Sequence, residues 1–170
     1  LIDIKETSGN DDIIIVTKHG KSIRFSEKDV RATGRAAMGV RALKLGEGDE
    51  VISMCLVNEE DKLLVVTQNG FGKRTPVKDY KKQERGGKGI LTYDKSKFSK
   101  TGELVGAVTV EEDDEVLLIN SDGIIIRIEA KDVSEFGRAT QGVKIMKVEE
   151  DANIISMTKV IKEDSEKETD

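Results

Sequence analysis

The residues best placed for chemistry are the eight at 83–90, QERGGKGI, which put three glycines, an arginine and a lysine into one short segment. Glycine lets backbone N–H groups approach an oxyanion closely and lysine adds a point charge, so a phosphate cradle is the first chemistry to test. The spacing excludes the nucleotide-binding versions. The P-loop pattern G-x-x-x-x-G-K-[ST] needs a hydroxyl after its Lys for the metal, whereas Lys88 is followed by Gly89 and Ile90. No G-x-G-x-x-G lies between a strand and a helix, and the flanking VKDYKK has no long apolar helical stripe.

The net charge of −5 argues against a polyanionic ligand until it is resolved along the chain. Residues 149–170 hold eight acids and three bases, so residues 1–148 balance at 25 of each sign. Within 72–100, ten bases (Lys73, Arg74, Lys78, Lys81, Lys82, Arg85, Lys88, Lys95, Lys97, Lys100) face three acids (Asp79, Glu84, Asp94), a local +7. Aromatics make up 4% and Trp is absent, which speaks against a stacking platform for unpaired bases and favours duplex backbone as the ligand. His19 has no second His to join it in a metal set. The single Cys, Cys55 in VISMCLV, excludes an internal disulfide framework and reads as a buried strand thiol in a reducing compartment. A 36% hydrophobic content suits modest cores. The chain is expected to be soluble, because no apolar run approaches the roughly 18 residues of a membrane span. Its start, LIDIKETSGN, shows neither an initiator Met nor a signal peptide and is expected to be that of an excised fragment.

The elements that must carry the loop come from an internal repeat. Segments 11–40, 60–90 and 113–143 align at offsets of 50 and then 53 residues. Counted from the turn glycines Gly20, Gly70 and Gly123, an Arg falls at +4 (Arg24, Arg74, Arg127) and an Asp at +9 (Asp29, Asp79, Asp132). A second Arg falls at +15 (Arg35, Arg85, Arg138) and a Gly at +19 (Gly39, Gly89, Gly142). The apolar tetrads LIDI, VISM, LVGA and IISM recur at 1, 51, 104 and 154.

Each unit reads as β structure. IIIVT, LLVVT and VLLIN are short, branched and continuously apolar, as strands buried on both faces are. His19-Gly20, Asn69-Gly70 and Asp122-Gly123 supply tight hairpin turns into a second strand. A third strand is expected at Val40–Leu45, Ile90–Tyr93 and Val143–Val148, and the tetrad is the fourth; only KDVSEF and its equivalents suggest a helical turn. The fold class is all-β, a propeller-like array of four-stranded blades. The expected layout is a closing strand of a preceding blade at 1–10, blades at 11–57, 58–110 and 111–160, and an acidic disordered tail at 161–170. Three blades leave an open partial ring whose edge strands are exposed or paired with a second chain.

LGEGDEVIS, TQNGFGKRTPVKDY and QERGGKG together carry a resemblance, over residues 1–160, to the C-terminal domain family of DNA gyrase A subunits. QERGGKG resembles that family's Q-R-R-G-G-K-G box at six of seven positions, with Glu84 in place of an Arg. The resemblance implies a β-pinwheel, of which this chain holds the last three blades with a box-like loop in a later one. It implies duplex DNA wrapped on the outer rim to direct negative supercoiling in the bacterial cytoplasm, at the nucleoid. The implied partners are the rest of gyrase A and gyrase B. No catalysis and no cofactor are implied here, since ATP and Mg act in other domains of the holoenzyme. The cleavage tyrosine also lies elsewhere, so Tyr80 and Tyr93 are left as blade residues.

The candidate DNA-binding residues are Lys73, Arg74, Lys78, Lys81, Lys82, Arg85, Gly86, Gly87 and Lys88, with Arg35 and Arg138 at the place equivalent to Arg85. Lys81, Lys82 and Lys88 are special to the middle unit, so either they bind phosphate or they form a solvated charged face. Gly86 and Gly87 are replaced by Ala36, Ala37 and Ala139, Thr140 in the other units, which suits close approach to phosphate. The Arg at +4 and Asp at +9 recur in every unit, so either the pair holds a loop against its blade or the Arg meets DNA. The alternative for the whole chain is a protein-interaction propeller with an acidic regulatory tail.

Overall fold

A computed structural model of the chain describes residues 1–162. Residues 163–170, the core of the expected acidic tail, lie outside the described residues. The chain forms eleven strands among the described residues: β1 (Asp12–Thr17), β2 (Lys21–Ser26), β3 (Val51–Val57), β4 (Lys62–Thr67), β5 (Phe71–Pro76), β6 (Ile90–Leu91), β7 (Leu104–Val110), β8 (Glu115–Asn120), β9 (Ile125–Glu129), β10 (Val143–Lys144) and β11 (Ile154–Lys159).

The three hairpins β1–β2, β4–β5 and β8–β9 share one local cause. Gly20, Gly70 and Gly123 adopt φ of 78°, 84° and 79°, the left-handed region that other residues avoid. The residue three before each glycine ties the turn. Thr17 Oγ1 accepts from Lys21 N at 3.1 Å, Thr67 Oγ1 from Phe71 N at 3.2 Å, and Asn120 Oδ1 from Ile124 N at 2.9 Å. The tetrads VISM, LVGA and IISM become the inner strands β3, β7 and β11 on the far side of each hairpin.

The fourth strand does not come from its own repeat. The sheets run β3-β1-β2-β6, β10-β5-β4-β7 and β11-β8-β9, so β6 of the second repeat completes the first sheet and β10 of the third completes the second. The register places Ser22 opposite Ile90 and Gly72 opposite Val143. This corrects the expected layout: each repeat gives three strands to its own sheet, and the second and third each give one more to the sheet before. Val40–Leu45 accordingly forms no strand, because no earlier hairpin among the described residues receives it. The same reason leaves residues 1–10 without a strand and exposed, contrary to the expected closing strand.

Strand exchange presses consecutive sheets face to face. Ile14 and Val16 of the first sheet pack with Leu63, Val65, Tyr80 and Tyr93, while Leu64 and Val66 pack with Val116, Leu118 and Val133. β4 is therefore buried on both faces, as its unbroken apolar run predicts, whereas β8 alternates buried and half-buried positions because its second face meets no further sheet among the described residues. The helical turns fall earlier than KDVSEF suggests, as 3-10 turns at Glu27–Asp29, Val77–Asp79 and Ala130–Asp132. A 3-10 turn at Lys95–Lys97 runs into a short helix, α1 (Phe98–Thr101), whose Phe98 stacks on Tyr93 with centroids 5.9 Å apart.

Candidate nucleic-acid interface

The loop at 83–89 lies along the outer edge of the first sheet, held there by main-chain bonds to the unit before it. Gln83 N donates to Arg24 O at 2.8 Å and Gly86 N to Ala42 O at 2.7 Å, while Gly87 O accepts from Lys44 N at 2.8 Å. Two of the loop's N–H groups are thus already spent, so the loop is a scaffold for side chains more than a backbone cradle. Gly86 adopts φ of 88° and needs its glycine; Gly87 does not, since a Cβ there meets only ordinary contacts. Gly89, at φ of 69°, passes so close to the Ser22 carbonyl that a Cβ would overlap its oxygen, and Gly142 crosses Gly72 in the same way. The recurring +19 glycine is the crossing point of the exchanged strand.

The recurring arginines are junction residues. The expected pairing of the +4 Arg with the +9 Asp is not what the structure shows. Arg24, only 5% exposed, bonds Asp12 at 2.7 Å, Glu59 at 2.5 Å and the carbonyls of Val77 and Tyr80 in the next unit. Arg74 repeats this on the carbonyls of Val133 and Lys131, with Glu112 at 3.1 Å. A guanidinium presents several donors in a fixed fork, which suits it to gathering turn carbonyls. Arg85 donates to Asp29 O and Arg41 O, and Arg138 to Leu91 O, the residue equivalent to Arg41. Arg74 is withdrawn as a DNA contact by its burial, and Arg85 and Arg138 are committed first to the junction. Arg35, at the equivalent place, is exposed.

Lys73 is the clearest correction. It is 0% exposed, with its Nζ bonded to the carbonyls of Gly137 and Arg138 and to Thr140 Oγ1, and it stands 5.5 Å from the Tyr93 ring centroid. Burial, with Arg138 nearby and only Asp94 opposing, pushes its ammonium down to about 7. Equivalent positions carry Ile23 and Ile126, so the sequence marks Lys73 as special without saying that it faces inward. Lys82 is exposed but pairs with Asp12 at 2.6 Å. Burial raises the Asp12 carboxyl, and the Lys82 and Arg24 bonds together outweigh it and hold the group below its usual range.

Lys78, Lys81 and Lys88 remain exposed with no carboxylate partner among the described residues. Sequence reasoning missed their neighbours. Because Ala42–Lys44 runs beside the loop, the exposed Arg41 and Lys44 lie next to Gln83–Gly89 although they belong to the preceding unit. A second basic group forms the same way, with Lys100 and Lys144 from different units both set over the Phe71 ring at 5.4 and 5.7 Å. Only the strand exchange, invisible in a linear repeat, brings these pairs together.

The sequence signature described as DNA gyrase C-terminal domain, beta-propeller, matches residues 11–58, 61–111 and 114–161, the three hairpin units. The chain belongs to the DNA gyrase C-terminal domain family. The DNA gyrase A protein of one Staphylococcus aureus strain is 43% identical over 99% of this chain, and that of a second strain is 42% identical over all of it. The chain spans 19% of the length of these relatives. Among solved structures, a DNA gyrase A C-terminal domain superposes with a TM-score of 0.83 at 35% identity, over 89% of this chain and 51% of that one. The C-terminal domain of a DNA topoisomerase IV superposes with a TM-score of 0.87 at 27% identity, over 93% of this chain and 49% of that one. Among the described residues no helix is long and apolar enough to cross a membrane.

Proposed function

We propose that this chain holds the backbone of duplex DNA on the rim where consecutive units exchange strands, and that it contributes to wrapping that lets gyrase introduce negative supercoils. The observation that carries the reading is the group of exposed cations around Gln83–Gly89 with no ion-pair partner among the described residues: Lys81 and Lys88, with Arg41 and Lys44 beside them. Such cations neutralise phosphates, release counterions and favour bent duplex with little reading of sequence. The chain acts without chemistry of its own; breakage and ATP hydrolysis belong to the rest of gyrase A and to gyrase B in a cytoplasmic, nucleoid-bound assembly. The proposed blade divisions remain 11–57, 58–110 and 111–160, and the chain also self-associates through its open edges.

A titration of duplexes of several sequences against salt tests this. Affinities similar across sequences, falling steeply with salt, support it, and an interaction propeller would show no such fall. Topological assay of closed circular DNA with the chain and a relaxing enzyme tests wrapping; an unchanged linking number would sink that part alone.

A further inference from the structure

The loop at 137–141 is the third unit's counterpart of 83–89 and lies along the outer edge of the second sheet, yet its central peptide is turned the other way. In the first loop, Glu84–Gly87 forms a turn whose third residue, Gly86, has φ of 88° and sends its N–H inward to Ala42 O. In Gly137–Thr140 the third residue is Ala139, and among the described residues only glycines have a positive φ. A positive φ at that place marks a type II turn and a negative one a type I turn, and the two differ by a half-rotation of the peptide between the central residues. Lys73 accounts for the difference. It takes the place of Ile23, and its buried ammonium draws inward the carbonyls of Gly137, at 2.7 Å, and of Arg138, and also bonds Thr140 Oγ1 at 3.1 Å. Thr140 O and Gln141 O are held as well, by Asp94 N at 3.2 Å and by the Tyr93 hydroxyl.

A trans peptide sets its C=O and its N–H in opposite directions. With the Gly137 and Arg138 carbonyls on Lys73, the N–H groups of Arg138 and Ala139 point away from the buried side, and neither has a hydrogen-bond partner among the described residues. Gly137 and Ala139 are exposed. Consecutive outward N–H groups in a turn form a concavity for an oxyanion. The exposed Lys95 follows Asp94, and the exposed Lys144 lies two residues past Gly142. The Asp94 carboxylate is occupied with Ser96, accepting from its N at 3.0 Å and its Oγ at 2.6 Å. We propose that this loop binds a backbone phosphate of duplex DNA through the main-chain N–H groups of Arg138 and Ala139, with Lys73 as the positioning residue that keeps the central peptide turned. It is the main-chain cradle that 83–89 is not. The inference rests on the DNA reading proposed above and adds a contact of another kind, one whose donors carry no charge of their own.

Amide proton–nitrogen spectra of the chain, titrated with a short duplex and separately with inorganic phosphate, test the inference. The Arg138 and Ala139 amide protons are expected to move downfield with both, while the Gly86 amide, already spent on Ala42 O, stays in place with inorganic phosphate. Lys73→Ile, which borrows the residue of the other units, is expected to abolish those shifts and to weaken duplex binding about tenfold, the loss of one hydrogen bond to a charged acceptor. Its salt slope should match the wild type, because no exposed cation is lost. Ala139→Asp leaves Lys73 in place and sets a carboxylate beside the two N–H groups at an exposed position, so it should lose the same shifts; thermal unfolding confirms that each variant folds. A folded Lys73→Ile that keeps the shifts and the wild-type affinity would overturn the inference, and a response to inorganic phosphate without one to duplex would overturn the assignment to DNA. Duplex binding with the Arg138 and Ala139 amides unmoved would overturn the inference and spare the DNA reading, whereas no duplex binding at all would overturn both.

Discussion

Lys88 and Lys73 differ by orientation alone, and their substitutions should separate cleanly. Lys88→Ala should weaken binding to all duplexes by similar factors and flatten the salt dependence by about 0.9 in log–log slope, the loss of one phosphate contact, with no change in unfolding midpoint. An unaltered slope would move the contact to Lys78 and Lys81. Glu84→Arg removes the acid from the loop and should raise affinity and steepen the slope in the same titration. Lys73 should instead govern stability against pH. Its folded-state value of about 7 lies below the ordinary 10.5, so between those limits the unfolded chain binds the extra proton. Raising pH through that window therefore favours the folded chain. Urea unfolding across it should show that rise in the wild type and a flatter profile in Lys73→Ile, which borrows the residue of the other units; parallel profiles would remove Lys73 from the effect. The sequence displays Lys73 and Lys88 as equal members of a basic stretch. Facing inward or outward depends on the third unit lying over β5, which no local pattern encodes.

Hairpins were legible and the exchange was not. Branched runs ending in Thr-x-x-Gly or Asn-x-x-Gly announce β1–β2, β4–β5 and β8–β9 from local chemistry, and the tetrads announce the inner strands. β6 and β10 are two residues each and have no alternation of their own, so their sheet is chosen by a neighbour distant in sequence. The glycine that permits the crossing does recur in the sequence, and its meaning can be measured. Ala at a left-handed position costs about 1–2 kcal/mol from the backbone alone. Gly39→Ala should show that loss only, because nothing stands near it. Gly89→Ala should lose clearly more, since its Cβ would overlap the Ser22 carbonyl, and Gly87→Ala should be close to neutral. Equal losses at Gly39 and Gly89 in chemical denaturation would show that the crossing is not tight.

Across the whole molecule, the junctions are where charge and packing coincide. Asp12 binds Arg24 of its own hairpin and Lys82 of the next unit, and its carboxyl sits below the usual range. The stability it lends is complete above the ordinary carboxylate range and is lost as pH falls through its lowered folded value. Asp12→Asn should therefore reduce the steepness of acid unfolding, and an identical acid limb would exclude Asp12 from it. Strand exchange also fixes an order in time. A ribosome delivers the β1–β2 hairpin long before Ile90, the residue that shields its outer edge at Ser22, so that hairpin waits for the unit behind it. Chains arrested at residue 80 should keep that edge open to protease, and those long enough to bring residue 111 out of the ribosome should close it, making synthesis a ratchet in which a unit is sealed by its successor.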